Sequence, residues 1–465
     1  MEGRFETMMD RSQRLGEASI PFLLVTFSAP AIVGMLAQAT YNLVDRAFVG
    51  HALGPDGIAG ITISLPFMLV LLACGMLIGF GAGALVSIRL GEGKKDDAED
   101  VLRHAVLLLA AASLIVTVMG LAFLDPLLRL FGASDRVLPF GRDYLQIIVL
   151  GTVFQVGGFG LNAVIRGEGN PRVAMLTLLI GVVLNVILAP VFLFGLGWGM
   201  RGAGLATVLS QAVSATWTLF HFASGRSVLK LHAGDWRMSW PVCASILAIG
   251  SPPFLMQLAA SVMNSLLNNQ LRAHGGDLAI SVMGVIYAVA MMVFMPIFGI
   301  NQGTQPIIGY NYGARKLGRV KRTWQSAVFA ATGIALLGFL VMMVFPAQVI
   351  RLFEPSDAAL LKLGCRALRM AGIMLPMVGF QIVSAGYFQA VGKSKQAMLL
   401  MVSRQILALI PAVLLLPRFF GLDGVWLALP ASDFVASLIT GVCISFELRR
   451  LNGAQGAGDA PKGDG

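Results

Sequence analysis

The sequence predicts an all-α integral membrane protein with twelve transmembrane helices, arranged as two parallel six-helix bundles related by a pseudo-twofold axis along the membrane normal. Three observations support this prediction. The composition is too apolar for a soluble protein. The apolar residues form runs long enough to cross a bilayer, which takes about 20 residues per helix. The second half of the chain repeats residues of the first half at a nearly constant spacing.

The composition excludes a soluble enzyme and a disordered scaffold. Apolar residues make up 57% of the 465 residues and charged residues 12%, whereas soluble domains are about 45–50% apolar and about 25% charged. The net charge of +10 is expected from basic residues on cytoplasmic loops, which set the topology of membrane proteins without any ligand. We therefore expect the lipid bilayer as a partner and no nucleic acid.

Polar breaks divide the chain into five predicted segments. Lys and Arg concentrate on one side of the predicted membrane, and about two thirds of the 34 lie inside if the N-terminus is cytoplasmic. This bias places both termini in the cytoplasm. The predicted segments are a cytoplasmic N-terminal segment (1–19), an N-terminal six-helix bundle (20–223), a cytoplasmic linker (224–240), a C-terminal six-helix bundle (241–448) and a disordered cytoplasmic tail (449–465).

The two halves are related by an internal duplication. A shift of about 222 positions pairs Pro30 with Pro252 and Asn42 with Asn264, and it also aligns the glycines that begin the sixth and twelfth runs. Six spans is an even number, so both halves enter the membrane from the same side and form parallel repeats. Such repeats are typical of transporters that bind substrate between their halves and work by alternating access.

A charged residue inside the membrane is costly and is therefore a candidate functional residue. Asp45 lies in the outer part of the first span, where Gln38, Asn42 and Asp45 are spaced four and three apart and share one helix face. We assign Asp45 to cation or proton coupling. Gln38, Tyr41 and Asn42 are assigned to the substrate cavity. The alternative for Asp45 is an interfacial ion pair with a basic neighbour.

Asp433 is the second acid within a predicted span, and it is a candidate for the same coupling role. Arg404 lies at a similar depth in the preceding span. The two residues have three interpretations. They form a structural salt bridge between antiparallel helices, they form a second coupling site, or Arg404 extends to the cytoplasmic surface.

Other polar side chains fall on single faces of predicted spans and are candidates to line a wet cavity. Isolated amides in membrane helices often make only interhelical hydrogen bonds, whereas clusters on one face indicate an aqueous surface. Asn185 and Thr207 are the candidates in the fifth and sixth spans. The candidates in the seventh and eighth spans are Gln257, Asn264, Tyr287 and Asn301. Cysteines and histidines show no metal-binding spacing, so no cofactor and no tightly bound metal are expected.

At these residues the chain resembles the prokaryotic MATE (multidrug and toxic compound extrusion) transporters, over roughly residues 18–448. The resemblance implies export of cationic, amphipathic compounds from a bacterium across its plasma (inner) membrane, in exchange for Na⁺ or H⁺. The motifs that carry it are Y-N-L-V-D (41–45), R-G-E-G-N-P (166–171), L-N-V-I-L-A-P (184–190), G-A-G-L-A-T (202–207) and Q-P-I-I-G-Y-N-Y-G-A (305–314).

The resemblance also implies where the coupling ion binds. The cation site of prokaryotic relatives maps to Asp45, Asn185 and Thr207, which are therefore the possible Na⁺ ligands. The chain departs from the pattern at Ala189, where the family motif has an acid. This departure weakens a site for a hard cation, because Na⁺ favours oxygen ligands and negative charge.

The sequence thus predicts a monomeric secondary multidrug antiporter for organic cations and not an enzyme. The main alternative is an exporter or flippase of lipid-linked or polysaccharide precursors, whose chains usually have about fourteen spans and more basic cavities. A membrane-embedded transferase would need paired acids or a His/Asp pair near one face, and the sequence shows neither. A channel is separated from a transporter by saturable, gradient-dependent flux.

Overall fold

The structure is a computed structural model that describes residues 13–231, 238–353 and 358–458. Within these residues the chain forms helices joined by short turns, and no strand occurs. The first half contains helices α1 (Ile20–Gly91), α2 (Lys95–Ala122), α3 (Leu124–Leu130), α4 (Leu138–Leu150), α5 (Thr152–Gly167) and α6 (Pro171–Pro190), the π-helical segment π1 (Val191–Gly195), and α7 (Gly199–Ala223).

The second half follows a similar order, with one additional helix after its π-helical segment. It contains α8 (Trp240–Gly313), α9 (Leu317–Val344), α10 (Pro346–Phe353), α11 (Ala358–Gly372), α12 (Leu375–Ala390), α13 (Ser394–Val402), the π-helical segment π2 (Ser403–Leu409), α14 (Ile410–Phe420) and α15 (Leu422–Gly458). The very long helices α1 and α8 each contain one residue with non-helical dihedral angles, Gly54 and Gly276. Each of these two helices therefore comprises two spans.

The spans account for the predicted twelve. Among the described residues, eight helices are long and apolar enough to cross a membrane, and two bent pairs, α4 with α5 and α11 with α12, raise this number to ten. The turn at Gly54 divides α1 into two spans. Helix α7 is the remaining span. It has 25 residues, enough for a bilayer.

Large apolar side chains on the outside of the helices fit a lipid environment. Phe329 on α9 and Phe419 on α14 are 84% and 77% exposed. A soluble protein rarely leaves such surfaces open to water. Hydrocarbon cannot hydrogen-bond to the backbone, and a helix satisfies its backbone hydrogen bonds internally. The predicted all-α membrane fold is confirmed.

The described chain packs as two units. The first comprises residues 13–17 and 30–254, and the second comprises 18–29 and 255–458. The sequence placed the division in the segment 224–240. The structure instead assigns the beginning of α8 to the first unit and the beginning of α1 to the second.

Close backbone contacts at glycines explain why the beginning of α8 belongs to the first unit and the beginning of α1 to the second. In the first unit, Gly250 of α8 lies so close to α1 that an added Cβ would be 1.6 Å from the Leu77 carbonyl oxygen, and one on Gly81 would be 2.0 Å from the Ile246 carbonyl oxygen. Residues without a Cβ allow helix backbones to approach this closely. In the second unit, an added Cβ on Gly303 would lie 2.7 Å from the backbone nitrogen of Ser28 in α1.

Part of the predicted linker packs against the first unit, and part of the predicted disordered tail is helical. The linker residues 224–231 and 238–239 are described, and they bind the first unit through Lys230 N to Glu99 Oε1 (3.0 Å) and Ser239 N to His104 Nε2 (2.7 Å). Helix α15 continues to Gly458, so residues 449–458 of the predicted disordered tail are helical. The predictions for residues 1–12 and 459–465 lie outside the described residues.

Candidate functional site

Thr207 is the centre of a buried hydrogen-bond cluster in the first unit. Its Oγ1 donates to the Ala203 carbonyl oxygen (3.1 Å) and accepts from Asn185 Nδ2 (3.2 Å). The hydroxyl of Tyr41 lies 3.4 Å from the same atom. Because a threonine hydroxyl has one proton, and Ala203 accepts it, Tyr41 is the donor in this contact. The structure thus brings Tyr41, Asn185 and Thr207 together.

Asp45 lies one helical turn after Tyr41 on α1 and is 5% exposed. Its Oδ1 atom is buried and has no hydrogen-bond partner among the described residues. The ion pair with a basic neighbour that the sequence left open is not formed by this carboxylate in the described chain. A buried carboxylate oxygen without donors is costly when the group is ionised, so Asp45 needs a compensating group when it is charged.

Tyr144 is a residue of this site that the sequence analysis missed. It lies on α4, is 1% exposed, and is within electrostatic reach of Asp45 and Tyr41. Its hydroxyl points to Met68 Sδ at 4.0 Å, a weak acceptor. In the sequence Tyr144 directly follows Arg142 and Asp143 near the start of α4, and a tyrosine at such a position has no distinguishing pattern.

The three residues of the predicted polar face, Gln38, Asn42 and Asp45, do not share one environment in the structure. Gln38 and Asn42 are exposed on the surface of the first unit, whereas Asp45 is buried. Tyr41, which is half-buried and lies one turn before Asp45, is the residue of α1 that contacts Thr207. Ala189 is fully buried, so this position, where the sequence resemblance implied an acid, presents only a methyl group to its surroundings.

The predicted cavity residues of the second unit have different environments. Tyr287 donates a hydrogen bond to Asn264 Oδ1 at 2.9 Å, and Asn264 is exposed. Gln257 is half-buried. Asn301 is 8% exposed and packs against Gly386, where an added Cβ would lie 1.8 Å from Asn301 Oδ1. Asn264 and Tyr287 are therefore accessible as a pair, and Asn301 is enclosed by the second unit.

Asp433 and Arg404 form an ion pair inside the second unit. Arg404 Nε donates to Asp433 Oδ1 at 2.7 Å. Asp433 is 5% exposed, and the side chain of Arg404 is 25% exposed. The salt bridge between antiparallel helices, one of three interpretations from the sequence, is the arrangement observed. Asp433 thus already has a cationic partner, unlike Asp45.

No group of three or more His, Cys, Asp or Glu residues is placed to hold a metal ion in the part of the chain that the structure describes. The residues expected to bind Na⁺ provide one carboxylate, one amide and one hydroxyl. Both lone pairs of the Thr207 hydroxyl are occupied by Asn185 and Tyr41, so this oxygen has no free lone pair for an ion.

Duplicated six-span units with a buried, unpaired carboxylate define the class of polytopic secondary transporters. The sequence model of the MatE family matches residues 30–191 and 252–414, and the chain belongs to this family, the MATE multidrug efflux transporters. The two matches begin 222 residues apart, which confirms the duplication predicted from single residues.

Individual relatives agree with this assignment. The chain is 28% identical over 433 residues to the multidrug export protein MepA of Staphylococcus haemolyticus, covering 93% of this chain and 95% of the relative. A solved MATE multidrug transporter, DinF-BH, is 38% identical with a TM-score of 0.87, covering 94% of this chain and 97% of that one. A MATE crystal structure in a bent conformation has a TM-score of 0.90 at 26% identity, covering 96% and 98%.

Proposed function

We propose that this protein is a secondary active antiporter of the bacterial plasma membrane that exports cationic, amphipathic compounds in exchange for protons. It functions as a monomer by alternating access, with both termini in the cytoplasm, and it needs no cofactor. The observation that carries the proposal is the buried Oδ1 atom of Asp45, which has no hydrogen-bond partner in the described chain.

A buried carboxylate of this kind must be neutralised in every state that transport passes through. An isolated ionised carboxylate in a low-dielectric interior costs far more than a paired one. A proton, a metal cation or the positive group of a substrate can each supply the compensation, but one carboxylate accepts only one of them at a time. Competition for Asp45 therefore links the inward movement of the ion to the outward movement of the substrate.

Two features favour the proton over Na⁺. Na⁺ requires several oxygen ligands, and the lone pairs of Thr207 Oγ1 are already used by Asn185 and Tyr41. A second carboxylate is lacking at Ala189, which is fully buried. A proton needs only the Asp45 oxygen. Asp433 does not add a second coupling carboxylate, because Arg404 already compensates it.

The similar proteins support the direction and the substrate class. MepA is named as a multidrug export protein, and DinF-BH as a multidrug transporter. In this chain, the exposed pair of Asn264 and Tyr287 adds hydrogen-bonding groups without charge. An apolar surface with few polar groups suits organic cations of varied shape.

The test uses purified protein in liposomes and a rhodamine methyl ester, a permanent organic cation. A pH gradient and a Na⁺ gradient are imposed separately, and dye uptake is followed by fluorescence. We expect uptake driven by the pH gradient, and uptake at the level of protein-free vesicles for Asp45→Asn. The matched control is Asp135→Asn, because Asp135 has a side chain 88% exposed.

Uptake driven by Na⁺ alone would contradict proton coupling while retaining antiport. Undiminished uptake by Asp45→Asn would overturn the role of the carboxylate. If the intact protein moved no dye under either gradient, multidrug antiport itself would be wrong, and the flux of lipid-linked precursors would be measured next.

A further inference from the structure

The ion pair of Arg404 and Asp433 lies deep in the second unit and is not used by the coupling step proposed above. Arg404 follows Ser394, the first residue of α13, by ten positions, and Asp433 follows Leu422 of α15 by eleven. At about 1.5 Å per residue these positions are about 15–17 Å from their helix ends. The hydrocarbon core is about 30 Å thick, so both residues lie near its middle.

The guanidinium of Arg404 is only partly used by this pair. Nε donates to Asp433 Oδ1, and the structure gives Arg404 no other hydrogen bond within the described residues. A guanidinium has five N–H groups in a planar fork, and the edge formed by Nη1 and Nη2 binds a carboxylate through two parallel hydrogen bonds. A side chain that is 25% exposed leaves this edge accessible.

The surroundings of Arg404 hold it in place and add polar groups. Its Cζ lies 5.6 Å from the centre of the Phe294 ring, in a cation–π contact. Gln381 Nε2 donates to the Asp433 carbonyl oxygen and to Ser437 Oγ, both at 2.8 Å, which fixes the helix that carries Asp433. Gln381 is 6% exposed, and its Oε1 has no hydrogen-bond partner in the described chain.

The backbone at this point is also unusual. Arg404 lies in π2, the segment Ser403–Leu409, and π-helical turns within α-helices are frequent at functional sites. A charge at mid-membrane faces the bundle interior or water in nearly all membrane proteins. The exposed part of Arg404 is therefore expected to meet water or a polar ligand.

We propose that Arg404, oriented by Asp433, is the subsite that binds the carboxylate of amphipathic zwitterionic substrates. The inference rests on the proposed export function and specifies its substrate class. Asp433 already neutralises the charge of Arg404, so a plain anion would leave one negative charge uncompensated. A zwitterion brings its own positive group and avoids this cost.

The experiment compares two dyes that differ in one group, a rhodamine methyl ester and its free acid. Equilibrium binding of each dye to the purified full-length protein is measured by fluorescence anisotropy, and uptake is measured in proteoliposomes. The variants are Arg404→Lys, which keeps the charge but not the fork, and Arg404→Gln combined with Asp433→Asn, which removes both charges together. The double variant leaves no unpaired buried charge.

We expect the double variant to bind the ester nearly as the parent does and the free acid at least about tenfold more weakly, because a charge-assisted bidentate contact is lost. Arg404→Lys should weaken free-acid binding selectively and by less. An unchanged ratio of the two affinities in both variants would overturn the subsite. If the double variant bound neither dye, the ratio of the two dye affinities in Arg404→Lys would test the subsite.

The binding ratio separates this inference from the function on which it rests. Failure of the parent protein to take up either dye, with the affinity ratio still shifted in the variants, would contradict antiport and leave the subsite standing. Normal uptake of the ester, with an affinity ratio that is unchanged in the variants, would support antiport and contradict the subsite.

Discussion

Arg315 occupies, in the second repeat, the position that Gly93 occupies in the first, and both have a positive φ angle. The values are 56° for Arg315 and 75° for Gly93. The same shift relates Gly54 to Gly276 and Gly199 to Gly421, so the repeats share their turn conformations. Arg315 is the one non-glycine residue with positive φ in the described chain. The duplication has thus kept a backbone conformation that suits glycine and disfavours a side chain.

We predict that Arg315→Gly stabilises the protein. A non-glycine residue in the left-handed region costs about 1 kcal/mol or more. Glycine removes this cost, but it also makes the unfolded chain more flexible, which offsets part of the gain. The expected net gain is about 0.5–1 kcal/mol in unfolding free energy. Thermal unfolding in detergent measures it. Lys316→Gly is the control, because Lys316 has φ −82° and should not gain.

Close backbone contact at Gly250 predicts a large effect of a single methyl group. In Gly250→Ala the new Cβ would lie 1.6 Å from the Leu77 carbonyl oxygen, a backbone atom that cannot move alone. We expect the first unit to lose at least about 3 kcal/mol of stability, the upper range for overpacking. Gly284→Ala in the same helix meets nothing within 4 Å and should not destabilise the protein, because alanine favours a helix over glycine. Equal melting temperatures for the two variants would contradict the contact.

Glu168 joins the end of α7 and the following linker to the loop before α6. Its Oε1 lies 2.6 Å from His221 Nε2, and its Oε2 accepts a hydrogen bond from Ser227. Glu168 is 2% exposed. We predict that Glu168→Ala lowers stability by about 2–3 kcal/mol, because two buried polar groups lose their partner.

The same variant should also free the segment after Ser224. Trypsin cleavage after Arg226 measures this locally, and we expect faster cleavage in Glu168→Ala than in the parent. Glu168→Gln keeps an acceptor for Ser227 and should be intermediate. If Glu168→Ala were cleaved at the parent rate, the role of Glu168 in holding the linker would be wrong.

Much of the fold was readable from the sequence because the membrane restricts the solutions. Apolar runs of sufficient length must be helices in lipid, and Pro30 with Pro252 marked the repeat. The exchange of residues 18–29 and 240–254 between the units was not predictable. It depends on backbone contacts at glycines such as Gly250, and a glycine in an apolar helix looks the same whether it packs closely or not.

The sequence indicated which residues could form the candidate site, but it did not indicate which of them lie together. The sequence named Asp45, Asn185 and Thr207 as candidates, and the structure places Asn185 and Thr207 in direct contact. The face of α1 was ambiguous, because Tyr41 and Asn42 are adjacent positions on one helix and spacing alone cannot say which faces inward. The structure buries Asp45 and leaves Asn42 exposed.

The three hydrogen bonds at Thr207 lead to the sharpest prediction for transport. Thr207→Val keeps the shape of the side chain and removes the hydroxyl, which leaves Asn185 and Tyr41 without their shared partner. Tyr41 lies one turn before Asp45, so its release alters the surroundings of the carboxylate. We expect pH-driven dye uptake to fall by about tenfold or more, since each lost hydrogen bond contributes about 1 kcal/mol. Initial uptake rates in proteoliposomes measure the effect.

Thr207→Ser is the matched variant, because serine retains the hydroxyl and loses only the methyl group. It should transport at close to the parent rate under the pH gradient. The two variants together separate hydrogen bonding from packing. Loss of transport in both would assign the role of Thr207 to its methyl contacts. Normal transport in Thr207→Val would show that Asp45 exchanges its proton without this cluster.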